Sequence, residues 1–278
     1  MSLKQEFRTL IYSSSSLYIY GCGKIGKTVF SLIEFFGLKS KIKAFLVTDA
    51  RQAGGVYLDV PVICIKDFSD AKGLILISLA EIYHAEVEEK LRSLNIGNYV
   101  NAYKYIFVDV EREDCVEHAC VGDLLKFFFK KNDYGHLDIV IRLLAIENLY
   151  GKNNYGIRMY KVLMDSFWGD ANCRTNAKPS EIYLSRFIAL ANSIEKNGFF
   201  QDSEIVILRK TYRVLNGKHR LALSLFYSLD SINVRYIFSY PYQPKVILNS
   251  EWYKKHFSED DMKFILNRLN QLKEKYGI

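Results

Sequence analysis

The chain has 278 residues, 49% of them hydrophobic and 25% charged, with only four prolines; this exceeds the usual single-domain size of roughly 100 to 200 residues and excludes a largely disordered chain. Thirty-eight Lys and Arg against 31 Asp and Glu leave a net charge of +7, a modest, dispersed excess that suits a phosphate-bearing ligand and ranks nucleic acid last among the partners. The five cysteines follow no repeated spacing, the first residues carry no secretory pattern, and no apolar run reaches the roughly 18 to 20 residues of a membrane span, so the expectation is reduced thiols, a cytoplasmic location and no membrane association.

Residues 17–20 (LYIY) form a short apolar run that enters Gly21-Cys22-Gly23-Lys24-Ile25-Gly26, and the following TVFSLIEFFGL keeps helical spacing as far as Gly37. Strand, glycine turn and helix are predicted in that order. IKAFLVTD (42–49), VPVICI (60–65) and LILISLA (74–80) read as strands, and EIYHAEVEEKLRSLNI (81–96) has the acidic start and basic end of a helix. This alternation predicts an open, largely parallel sheet covered by helices. From about 110 to 170, DLLKFFFKK, HLDIVIRLLAIENLY and GIRMYKVLMDSFW suit helices separated by Asn, Asp and Gly, and are taken as a helical connector with an apolar interior. A further helix over IYLSRFIALANSIEKNG, strands over SEIVILRK and TYRVLNG, a helix over HRLALSLFYSL, a strand over INVRYIFSY and a terminal helix near 258–276 complete the chain. The predicted organisation is α/β, with a parallel-sheet domain over 1–107, a connector over 108–170 and an α+β domain over 171–278.

In the G-x-G-x-x-G run, Gly21, Gly23 and Gly26 stand between a strand and a helix, where glycines let backbone approach a pyrophosphate and the helix start offers unpaired N–H groups. Asp49, at the end of the second strand, suits a ribose hydroxyl. The alternative is that the glycines serve only the turn and helix–strand packing. GCGKIGKTVFSLIEFFGLKSKIKAFLVTD, continued through LILISLAEIYHAEVEEKLRSLNIGNYV, resembles the small Rossmann-like domains of bacterial proteins that modify sugars and build polysaccharides. That resemblance implies NAD or a nucleotide-sugar as ligand. No Tyr-x-x-x-Lys pair follows the fingerprint in a suitable place, which counts against a working dehydrogenase.

Asn216-Gly217-Lys218-His219-Arg220 lies between a predicted strand and a predicted helix, so backbone N–H groups and cationic side chains converge on a helix start. The stretch SRFIALANSIEKNGFFQDSEIVILRKTYRVLNGKHRLALSLFYSLDSINV (185–234) resembles the ParB/sulfiredoxin-like superfamily. The resemblance implies nucleotide phosphates (ATP, ADP or CTP, with or without magnesium) held by Gly217, His219 and Arg220. Sulfiredoxins carry a catalytic cysteine where this chain has Lys218, which removes the sulfur chemistry, and about forty residues after Phe238 are too few for the DNA-binding part of a partition protein. The free-serine-kinase branch remains, with Glu181 in the place of its catalytic glutamate as a base. Its turn aspartate is here Asn216 and its first histidine Lys218, so a metal-binding carboxylate is missing. A capped turn without ligand is the bland alternative.

Cys115 and Cys120 flank His118 without a second ligand pair, so no metal site is expected. The passage Tyr150 to Tyr160 reads either as a flap over a substrate or as solvated surface. The leading expectation is a nucleotide-binding protein that transfers phosphate to a small metabolite or sugar derivative through the 216–220 turn. A nucleotide-sensing or scaffold module without turnover and an NAD-dependent oxidoreductase are the alternatives, and a homodimer is left open.

Overall fold

The computed structural model describes residues 2–108, 115–129, 134–171, 177–199, 204–209, 211–237 and 246–278. It is an α/β protein with mixed sheets, divided near residue 114 into two compact units.

The first unit runs through α1 (Leu3–Ser13), β1 (Leu17–Tyr20), α2 (Lys24–Phe35), β2 (Ile42–Val47), β3 (Val56–Tyr57), β4 (Val60–Cys64), β5 (Leu74–Ile77), α3 (His84–Ser93) and β6 (Tyr99–Asn101). Its sheet has the order β3-β4-β2-β1-β5-β6. Only the β3–β4 pair is antiparallel; β4, β2, β1, β5 and β6 are mutually parallel. β5 is buried at all four positions, as an apolar run must be when helices cover both faces of a sheet. On one face Phe30 of α2 stacks on Phe45 at 6.0 Å, and on the other Val87 and Leu91 of α3 pack against Tyr20, Leu46, Ile75 and Ile77. Successive strand residues point to opposite faces, which is why Phe45 and Leu46 serve different helices. From β1 the chain passes to β2 on one side and later to β5 on the other, so the order reverses at β1 and the switch point of the sheet lies beyond the carboxyl ends of β1 and β5.

The opening residues, for which no element was predicted, form α1 because Ser2 and Gln5 make a reciprocal capping box. Phe7 then packs on Tyr105 at 4.7 Å, and the Lys41 ammonium closes the helix end by donating to the carbonyls of Ile11, Tyr12 and Ser14.

The second unit comprises β7 (Cys115–Cys120), α4 (Val121–Phe129), α5 (Leu137–Leu149), α6 (Gly156–Asp170), α7 (Pro179–Asn197), β8 (Ile205–Leu208), β9 (Arg213–Asn216), α8 (Lys218–Phe226), β10 (Ser231–Ile237), α9 (Ser250–His256) and α10 (Glu259–Tyr276). The sheet order is β7-β10-β8-β9, with β10 and β8 parallel and the outer pairs antiparallel. The helices expected as a connector over 108–170 belong to the core of this unit: Leu125, Ile141 and Leu163 share one cluster with Leu221, Val234 and Ile265. The division near 114 therefore replaces the expected boundaries at 107 and 170. The cause is α5, in which every residue from Leu137 to Ile146 is buried; a helix buried around its whole circumference has to lie inside a domain.

α10 is anchored at its start by Asp261, which is 4% exposed. Its N–H donates to Ser258 Oγ at 3.2 Å while Arg158 of α6 forks onto both carboxylate oxygens. The Arg158 bonds first, against opposing burial, and then hydrogen bonds from Ser258 to the carboxylate hold the Asp261 carboxyl below the usual carboxylate range. A depressed native value means that the unfolded chain binds the extra proton, so this stabilisation is present above the ordinary carboxyl pKa and is lost as pH falls through the native one. Asp261→Asn is expected to cost about 1–2 kcal/mol at pH 7. Urea unfolding at pH 7 and in the acid range checks this: the difference from the parent protein shrinks with falling pH, and a gap independent of pH refutes the assignment.

Candidate functional site

The glycine loop of the first unit assigns each glycine a separate task. Gly21 leaves β1 at φ +112°, a conformation that disfavours side chains, and a Cβ there would lie 2.7 Å from Leu79 Cδ2. Gly26 lies against the loop itself: a Cβ would stand 2.0 Å from the Gly21 carbonyl oxygen and 3.6 Å from Ile19. Gly23 is exposed, and a Cβ there would meet nothing within 4 Å. The outer glycines thus close the helix onto the strand while the middle one faces open space at the helix start. Gly23 is also the N-cap of α2, without a side-chain cap, and the first turn holds no acid but includes Lys24.

Beyond the end of β5, His84 is fixed by two hydrogen bonds. Its Nε2–H donates to the Leu79 carbonyl at 2.9 Å, and its Nδ1 accepts from Asn101 Nδ2 at 2.7 Å. With both nitrogens used, one as donor and one as acceptor, the ring is neutral and braces the β5–α3 loop whose Leu79 side chain packs on Gly21. Asp49 stands two residues beyond β2, as the ribose reading requires, but its carboxylate receives the Arg51 side chain in a fork at 2.7–3.1 Å and the Arg51 N–H at 3.0 Å. Arg51 keeps its carboxyl below the usual range. A diol would have to displace Arg51, which is 89% exposed and has little else to hold it.

The 216–220 turn differs from its expected form. Gly217 caps α8 in the left-handed region at φ +90°, a Cβ there would lie 3.1 Å from Ile205, and no side chain among the described residues caps the helix. Its neighbour Asn216 turns back, its amide oxygen accepting from the Gly217 N–H at 2.8 Å. Each of the three basic side chains is bonded to protein. Lys218 Nζ donates to Asp138 Oδ2 at 2.6 Å, Arg220 Nη1 donates to the Glu204 carbonyl at 2.5 Å, and His219 Nε2 meets the Tyr160 hydroxyl at 2.8 Å. Burial first, then the Arg142 guanidinium, pushes His219 well below its ordinary pKa, so the ring is neutral among Phe187, Tyr160 and Tyr183. Burial raises the pKa of the Tyr160 hydroxyl, which keeps its proton beside Nε2.

Asp138 organises the turn from below and was not anticipated. It lies in the first turn of α5 at 2% exposure, and Arg142, one helical turn on, donates Nη1 to its Oδ2 and to its backbone carbonyl, both at 2.8 Å. Burial opposes its charge, but Lys218 and Arg142 outweigh that and hold the carboxyl low. Lys218 is lowered too, by burial ahead of the opposing pull of Asp138. Among the described residues, one carboxylate is shared by two cations, Lys218 and Arg142. Asp138 Oδ1 and Arg142 Nε have no hydrogen-bond partner among the described residues. The signal in the sequence was an Asp and an Arg four apart inside an otherwise apolar run.

Glu181 sits in the first turn of α7, exposed, and makes no contact with the turn among the described residues. Tyr183 and Phe187 provide the α7 face that meets His219, and helical spacing sets Glu181 roughly 160° round from Tyr183. The expected base is therefore not brought to the expected phosphate ligands. Trp168 stacks on Tyr183 at 5.7 Å with Arg186 above that ring, while Arg174 lies outside the described residues. The 150–160 passage is pinned rather than free to close: Asn153 Oδ1 accepts from the N–H groups of Tyr155 and Gly156, and Tyr150 OH donates to Glu195. An open cavity of about 650 Å³ lies on the outside of α6 against Arg158, Lys161 and Asp165, away from the helix face that carries Tyr160. Among the described residues, no group of three or more His, Cys, Asp or Glu could hold a metal, and no helix is long and apolar enough to cross a membrane.

No protein family, curated protein or solved structure is matched by this chain.

Removing one partner from a buried ion pair leaves the other uncompensated, so Asp138→Ala is expected to destabilise the protein by about 3–5 kcal/mol. Adding Lys218→Met should restore part of that loss. Chemical unfolding of the single and double variants checks it; a single variant as stable as the parent removes Asp138 from its organising place.

Proposed function

We propose that this protein binds a nucleotide, a dinucleotide such as NAD or a nucleotide-sugar, through the Gly21–Gly26 loop and the start of α2. The observation that carries the reading is the open space at Gly23 between two glycines that the fold cannot replace. A parallel sheet of order β4-β2-β1-β5-β6, reversing at β1, supports a Rossmann-like description of the first unit, and in such sheets ligands occupy the crevice at the reversal. Gly21, Gly23 and the α2 N–H groups would hold the diphosphate, Lys24 would balance its charge, and Asp49 would take a ribose hydroxyl once Arg51 moves aside.

A second anion site at the 216–220 turn is favoured by the uncapped start of α8 and the two cations that share Asp138. It fits a ParB/sulfiredoxin-like reading of the second unit, with backbone N–H groups as the ligands of a nucleoside di- or triphosphate. The position of Glu181 and the presence of Asn216 support binding without phosphotransfer there, so a sensing or scaffold role in sugar or polysaccharide metabolism is preferred to a kinase.

A ligand at one hundred times its dissociation constant stabilises the native state by about 2.7 kcal/mol. NAD(H), UDP-sugars, ATP, ADP and CTP, each with and without magnesium, are to be screened by thermal unfolding. A stabilising dinucleotide or nucleotide-sugar should lose its effect in Gly23→Val, whose own midpoint stays near the parent's because that position is open, and should keep it in Arg220→Ala. Nucleotide should also protect the Cys22 thiol, inside the loop, from alkylation. Absence of any shift with every ligand sinks the nucleotide reading.

A further inference from the structure

On the β7–β10 ladder of the second unit, His118 stands directly opposite Asn233, and Ser231 lies on the same face two residues before Asn233. His118 Nδ1 is 2.9 Å from Asn233 Oδ1, and His118 Nε2 is 2.6 Å from Ser231 Oγ. An amide oxygen can only accept, so Nδ1 carries the ring proton and Nε2 is left with its lone pair. At 2.6 Å the hydrogen that meets that lone pair is the one on the serine hydroxyl. The three residues therefore form a nucleophile, a base and a group that fixes the tautomer of the base, in the order that activates serine in acyl transfer.

We propose that Ser231 is an activated nucleophile, with His118 as its base and Asn233 as a positioning residue, and that it is acylated by small, unhindered esters. His118 is exposed and Ser231 and Asn233 are partly so, so the hydroxyl is within reach of solvent-borne substrate. Ser231 Oγ attacks the acyl carbon while its proton passes to His118 Nε2. That proton goes to the departing alkoxide as the ester C–O bond breaks. Water then attacks acyl-Ser231, His118 again taking the proton, and the carboxylic acid leaves with Ser231 restored. Neither the glycine loop nor the 216–220 turn takes part, so the assignment stands apart from nucleotide binding.

The full-length protein is to be treated with p-nitrophenyl acetate and, as a stable trap, with a fluorophosphonate, and the labelled residue located by peptide mass spectrometry. Label at Ser231, lost in Ser231→Ala and slowed about 100-fold or more in His118→Ala, is the expected result. Asn233→Ala should slow labelling about tenfold and Asn233→Asp, which keeps an oxygen facing Nδ1, should restore it. Should His118→Ala unfold, as judged by its thermal midpoint, His118→Gln replaces it. Label confined to other residues, the exposed Cys120 thiol across the ladder included, or label at Ser231 that is indifferent to His118, overturns the proposal.

Discussion

The second unit is built around a charge that has no access to water. Asp138 enters the protein interior on the most buried helix of the chain, and its carboxylate is tolerable there only because Arg142 from the next helical turn and Lys218 from the start of α8 both reach it. That demand fixes the position of α8 against α5 more tightly than apolar packing, which is non-directional, could do. It also decides what the 216–220 turn presents outward. With Lys218 drawn inward to Asp138, His219 neutral among aromatic rings and Arg220 held by a backbone carbonyl, the basic residues of the turn serve the fold first. What remains for a ligand is the uncapped helix start.

The first unit prepares a helix start by the opposite means, through removal of side chains. Gly26 must lack a Cβ because the Gly21 carbonyl occupies its place, and Gly21 must lack one because Leu79 does. The loop is held by steric exclusion and braced through the neutral His84, so α2 begins at a fixed point without an internal capping group. An anion there completes bonds that the fold leaves open, whereas at α8 it must share the neighbourhood with a buried ion network. This difference is the reason for proposing the glycine loop, ahead of the 216–220 turn, as the nucleotide site.

Elements whose signals lie within a few residues of each other are legible in the chain itself. The G-x-G-x-x-G spacing, the buried apolar runs of β2 and β5, the helical periods from α4 to α7 and the glycine at the start of α8 all lie close to their predicted places, because backbone sterics and side-chain periodicity are local properties. Tertiary contact decided the rest. Asp138 meets Lys218 across 80 positions of sequence, and His118 meets Ser231 across 113. No local pattern encodes such pairs, so the 108–170 helices read as a connector and His118 drew notice only for the cysteines flanking it. The place of Glu181 beside the turn was likewise inferred from order along the chain, whereas the residues of α7 that meet His219 are Tyr183 and Phe187, on another side of the helix. The sequence alone determined the strongly periodic strands and helices and the glycine turn between β1 and α2. Only the folded chain decided which charges neutralise one another, since that depends on which distant side chains lose water together.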